Sequence, residues 1–221
     1  MLTIACGGGG NSNEHGTAND TPAVGAGNAG TSGAAGTSGD AANRDANQGQ
    51  ARQFVEEMAM KGMAEVQLGQ LASQKASSPD VKQFGQMMVK AHTQSNNELK
   101  QIASQLNVQV PAQLDDEHRE LHERLSKLQG AEFDREYMNA MVEDHEEVIN
   151  KLEDRANQNT RNNDSNNPNA GATGTSGNNA QGEQALSQWA QKTLPIVQKH
   201  HQRAEQINEK VGRRTTDNNR Q

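Results

Sequence analysis

A chain of 221 residues with a formal net charge of −7, 31% apolar and 2% aromatic side chains is short of core-forming residues for its length. Its acidic balance, with no basic stripe interleaved with aromatics, excludes nucleic acid as a partner. A single cysteine rules out an internal disulfide, and no run approaches the roughly 18 apolar residues of a membrane-spanning helix.

The opening Thr3-Ile4-Ala5-Cys6, followed by a long Gly/Asn/Thr stretch, is similar to the end of a bacterial lipoprotein signal, whose cysteine is acylated after cleavage. That reading makes Cys6 a lipid attachment point and gives the chain a membrane as partner. Only five residues precede Cys6, fewer than a charged n-region and an apolar stretch of about 7 to 15 residues require, so a lone free thiol is the alternative. From Gly7 to Gln50 the only apolar side chain larger than alanine is Val24. Such a stretch cannot bury enough surface to offset its ordering entropy, and residues 1–50 are expected to be a disordered tether.

Beyond it the composition turns to Ala, Gln, Glu, Lys, Leu and Met without period-2 alternation, which predicts helices. The first runs from about Ala51 to Lys75, with Met58, Gly62, Glu65, Gly69 and Ala72 on one face. The second opens on Ser78-Pro79-Asp80, a capping serine, a proline suited to the first turn and an acid suited to the dipole. Its stripe reads Val81, Phe84, Met88, His92, Ser95, Leu99, Ile102, Leu106. A short helix after Pro111 carries Leu114, Leu121, Leu125 and Leu128 until Gly130 interrupts it. The next places Phe133, Tyr137, Met141, His145, Val148 and Leu152 on one face, completing helices over 51–156.

Residues 157–182 hold nine Asn and no Val, Ile, Leu, Met or aromatic residue, and read as a disordered insertion. The last helix, 183–213, aligns Leu186, Trp189, Thr193, Val197, His200, Ala204, Ile207 and Val211, with Pro195 as a kink or a late start, before a tail at 214–221. The helical parts amount to roughly 137 residues, ample for one core. Four long amphipathic helices pack most economically as a bundle with their stripes inward, so the expected fold is all-α, a four-helix bundle with a short extra helix.

The pattern V-x-x-H-x6-[L/I] occurs three times, at Val89/His92/Leu99, Val142/His145/Leu152 and Val197/His200/Ile207. Each of three helices thus points a histidine inward, and Glu65 is the carboxylate the first helix adds. A single inward histidine is most simply a core residue satisfied by a neighbouring polar group such as Ser95 or Thr193. Three of them with a glutamate at one depth are costly to bury unless a divalent metal ties them together. Met88 and Met141, four residues before His92 and His145, would favour copper(I) as ligands, but methionine is also an ordinary gap-filler of helical cores. His118 and His122, spaced i, i+4 among glutamates, read as a solvated face, and Tyr137 reads as a packing residue. No nucleophile elbow, phosphate-cradling glycine loop or nucleotide fingerprint is present.

The run FVEEMAMKGMAEVQLGQLASQKASSPDVKQFGQMMVKAHTQSNNELKQIA, with AEFDREYMNAMVEDHEEVINKLE and WAQKTLPIVQKH, resembles the bacterial family called domain of unknown function 4142, often labelled as outer membrane proteins. The resemblance implies a ferritin-like four-helix bundle, exported to the cell envelope, without an established activity. The family pattern usually shows Asp-His in two helices; this chain keeps Asp144-His145 but has Ala91-His92, and its Asn/Gly insertion also departs from the family.

Ferritin-like di-iron enzymes use two Glu-x-x-His motifs. Here the residues three before the histidines are Val89, Val142 and Val197, which argues against a di-iron oxidase. A mononuclear site of Glu65, His92, His145 and His200, with Asp144 as an outer carboxylate that orients a ligand, fits better and suits Zn, Cu or Ni. The expectation is an envelope helical bundle that holds one divalent metal. The alternative is a structural or stress-protective envelope lipoprotein whose histidines only organise the core.

Overall fold

Among the described residues, apolar side chains recurring every three or four positions produce five helices, α1 (Thr37–Lys75), α2 (Pro79–Gln105), α3 (Asp116–Ser126), α4 (Gly130–Asn162) and α5 (Gly177–Asn218). The computed structural model describes residues 37–162 and 177–218, and no β-strand occurs among them. Cys6, most of the N-terminal stretch read as a tether, and residues 163–176 of the Asn/Gly-rich stretch lie outside the described residues.

The stripes read from the sequence are the buried faces. Phe133, Tyr137, Met141, His145, Val148 and Leu152 of α4 are all buried, as are Leu186, Trp189, Val197, His200, Ala204, Ile207 and Val211 of α5. The helices themselves outrun the stripes. α1 starts at Thr37, and its residues 46–50, ahead of the buried Ala51, are exposed. Once a packed helix is nucleated, adding a turn of Ala, Gln and Asp needs no apolar face. Pro195 neither starts nor ends α5, which runs through it. Gln191, whose carbonyl loses its partner there, is exposed and can be solvated.

Contacts across the bundle fix its topology. Gly62 faces Asn96 and Gly69 faces Gly85, so α1 and α2 are antiparallel. Lys192 bonds Glu98 and Lys210 bonds Asp80, so α2 and α5 are antiparallel. Pairs Asn208–Asn139 and Gln198–Glu153 set α5 against α4, and Lys61–Asp144 with Lys151–Glu57 set α4 against α1. The ring order is therefore α1, α2, α5, α4, with every neighbour antiparallel. α2 and α4 are consecutive long helices yet diagonal and parallel, which requires a long crossover of the kind one class of four-helix bundles uses. α3 lies in that crossover and packs on α1 and α4.

One cap differs from expectation. Ser78 stands at the N-cap of α2 and Pro79 begins the helix, but the Ser78 side chain makes no capping bond. The buried Asp134 carboxylate of α4 accepts instead, from the Ser77 and Ser78 N–H groups at 3.0 and 2.8 Å and from the Ser77 hydroxyl. The start of α2 is thus tied to the start of α4 rather than capped from within.

Candidate metal centre

The α1 face that carries Glu65 is built of small residues, and that sets the spacing. A Cβ added at Gly69 would lie 2.7 Å from the Gly85 carbonyl oxygen, and one at Gly85 would lie 2.7 Å from the Gly69 carbonyl oxygen. Only glycine lets the two backbones approach so closely. The short α1/α2 separation brings Glu65 against His92.

The core is divided into two apolar clusters, one with Leu68, Met88, Met141 and Ala204, the other with Met58, Leu99, Val148 and Val197. Each of the four long helices places a buried acid or imidazole between them: Glu65, His92, His145 and His200. They are 2, 7, 0 and 7% exposed. The four polar side chains therefore share one level of the bundle, sealed by apolar layers on both sides.

Within this layer the three imidazole rings have centroid separations of 5.5, 5.8 and 5.9 Å. Each ring can offer a nitrogen such that all three lie within 4.8 Å of one another. The Glu65 carboxylate pairs with His92 Nδ1. His145 Nδ1 lies 2.8 Å from the Met141 carbonyl oxygen and 3.4 Å from Glu65 Oε1. The shorter contact is the hydrogen bond, one turn back along the same helix. With protons on those two Nδ1 atoms, His92 Nε2 and His145 Nε2 carry lone pairs. Both are buried without a hydrogen-bond partner, and so is His200 Nδ1.

Charge is arranged to keep the layer ionised on the carboxylate side and neutral on most of the imidazole side. Burial would raise the Glu65 carboxyl, but the three imidazoles outweigh it and hold it at about 2. Burial opposes protonation of His92, yet Glu65 lifts that ring above the ordinary value. Burial pushes His145 down, and burial together with the other two rings pushes His200 down to about 4. Two imidazoles held neutral and a third paired with the carboxylate form a set that could hold a divalent ion.

Asp144 lies at the edge of this layer. Glu65, Asp144 and His145 can each offer a donor atom within 4.8 Å of the others. Burial and the Glu65 charge push the Asp144 carboxyl up to about 6, against the Lys61 ammonium, whose Nζ is 2.7 Å from Asp144 Oδ1. Lys61, buried at 7% exposure and also 2.8 Å from Glu147 Oε2, is the residue that sequence reasoning missed. Its one signal is its place a turn before Glu65 on the inward side of α1.

Other sequence candidates fall elsewhere. Met88 and Met141 are packed in the first apolar cluster. Tyr137 stacks on Phe133 at 5.7 Å in that cluster, with its hydroxyl buried and without a hydrogen-bond partner. His118 pairs with Asp115, the N-cap of α3, and with His122 it joins no group of three donors among the described residues.

Compared with protein families, residues 36–165 match the model of one described as a domain of unknown function (DUF4142). The match takes in Glu65, His92, Asp144 and His145 and stops short of His200. No curated protein and no solved structure matches the chain.

Proposed function

The chain belongs to the DUF4142 family, and from that premise we propose that its bundle binds one divalent metal ion between the two apolar clusters. His92, His145 and His200 are the donors, and Glu65 is the carboxylate that orients His92 and balances the charge. The observation that carries this reading is the three buried ring nitrogens, one from each helix, that have no hydrogen-bond partner. A buried polar nitrogen without a partner costs about 1–3 kcal/mol, and here three stand in one layer. A tetrahedral ion with nitrogen ligands at about 2.0–2.1 Å needs its donors roughly 3.4 Å apart, a side-chain rotation away from separations of up to 4.8 Å.

Imidazole donors suit Zn, Cu or Ni rather than Mg or Ca. The site is closed by packing, and valine (Val89, Val142, Val197) stands three residues before each histidine, where the Glu-x-x-His motif of a di-iron oxidase has glutamate, so the role is sequestration or sensing rather than turnover. Location in the bacterial cell envelope, with membrane attachment through acylated Cys6, is part of the same reading. It is supported by Thr3-Ile4-Ala5-Cys6 and the long polar stretch that follows. Among the described residues, no helix is long and apolar enough to cross a membrane.

A second reading is favoured by the Glu65–His92 pair and the His145–Met141 bond, which satisfy part of the layer without any ion. In that reading the polar layer fixes bundle register in a structural envelope protein. Zinc-dependent thermal unfolding separates the two. Metal at about 100 times its Kd stabilises by about 2.7 kcal/mol, or roughly 5–10 °C for a domain of this size. The metal reading expects that rise in the wild type and its loss in His145→Ala; an unmoved wild-type curve supports the structural reading.

A further inference from the structure

Lys61 is buried beside the centre, and the acids around it exceed what the imidazole layer uses. Lysine is seldom buried unless paired, and here its Nζ reaches Asp144 Oδ1 at 2.7 Å and Glu147 Oε2 at 2.8 Å. Glu65, Asp144 and His145 bring three donor atoms within 4.8 Å of one another. Glu65 Oε1 is buried there with no hydrogen-bond partner. Two carboxylates this close repel unless a cation lies beside them. Lys61 and Glu147 also line a surface crevice of about 330 Å³ together with Glu57, Asp115 and His118, so the ammonium stands between that crevice and Asp144.

We propose that the Glu65 and Asp144 carboxylates form a second cation position adjoining the three-imidazole centre, and that the Lys61 ammonium, paired with Asp144, is the built-in cation that neutralises it. The proposal rests on the metal-binding reading above and goes beyond it, because it states why the wild-type chain holds one ion rather than two. Lysine is suited to this role as a compact point charge on a flexible stem. Carboxylate oxygens are ordinary ligands of a divalent ion, so a metal can take the place of the ammonium once it is removed.

The test is zinc stoichiometry by equilibrium dialysis and elemental mass spectrometry on the full chain, with folding checked by circular dichroism. The expected counts are about one zinc per chain in the wild type, about two in Lys61→Met, and about one in Lys61→Arg, which restores the cation. Lys61→Met/Asp144→Asn should return to about one, because it removes a ligand of the second position. If Lys61→Met folds only with metal, Lys61→Gln refolded in zinc gives the same count. One zinc in both wild type and Lys61→Met, or two in both, overturns the proposal and leaves the imidazole centre intact. No zinc on the wild type, with none on Lys61→Met, removes the centre and the second position together.

Discussion

The Glu65 carboxylate accepts a hydrogen bond from Nδ1 of His92 across the α1/α2 contact, and this decides which nitrogen of that ring remains available. A ring that donates from Nδ1 presents Nε2 as a lone pair, and Nε2 of His92 is buried with nothing bonded to it. The same logic holds at His145, where the Met141 carbonyl accepts the hydrogen bond from Nδ1–H. Orientation is thus built from one carboxylate between helices and one carbonyl within a helix.

Glu65→Gln should weaken zinc binding by about 10–100-fold, since the amide neither balances the ion nor accepts as strongly from His92. Competition against a chromophoric chelator measures this. An unchanged affinity would show that Glu65 takes no part in the site.

Acid should weaken the metal-free fold through His200. Its folded pKa is held at about 4, below the ordinary 6.5, so the unfolded chain takes up a proton that the folded chain refuses. The stability it contributes is full above about 6.5 and is lost as pH falls towards about 4, by on the order of 2–3 kcal/mol. His145 shifts the same way and His92 the opposite way. Urea unfolding at pH 7 and pH 5 should therefore show a larger acid loss in the wild type than in His200→Gln. Equal losses would place His200 outside the buried layer.

Gly69→Ala should destabilise by about 1–3 kcal/mol, because its Cβ would meet the Gly85 carbonyl at 2.7 Å and push α1 from α2. Zinc affinity should fall with it, as Glu65 withdraws from His92. Gly212→Ala, where a Cβ meets nothing within 4 Å, is the control. A Gly69→Ala protein as stable as the control would mean that the glycine contact does not set the helix separation.

Asp134→Ala should cost about 2–4 kcal/mol, since it leaves the Ser77 and Ser78 N–H groups without an acceptor at the start of α2. Chemical denaturation measures the loss. A loss no larger than that of Asp80→Ala, which removes a partly exposed carboxylate in the same turn, would show that water replaces Asp134.

The inward faces were legible in the sequence because a stripe such as Phe133, Tyr137, Met141, His145, Val148, Leu152 follows from helical geometry alone. Glu65 stood out as a carboxylate among Gly62, Gly69 and Ala72 for the same reason. Depth was not legible. Whether His92, His145, His200 and Glu65 share one level depends on the axial offset of four helices, and the Gly69–Gly85 approach and the α3 crossover are long-range facts that no spacing within one helix encodes. Lys61 and Asp134 were missed because each is a charged residue made inward by a partner far along the chain, Asp144 for one and Ser78 for the other. The helical run from Thr37 was missed because propagation beyond a packed segment leaves no apolar pattern to read.

The central claim is that the three repeated V-x-x-H elements build one metal site. Elemental mass spectrometry on untagged full-length protein purified without chelator, beside the His92→Ala/His145→Ala/His200→Ala variant, tests it most directly. The account predicts about one Zn, Cu or Ni per chain in the wild type and none in the variant. No metal in either, with a wild-type melting curve unmoved by added zinc, copper or nickel, would contradict it and leave the histidine layer as core architecture.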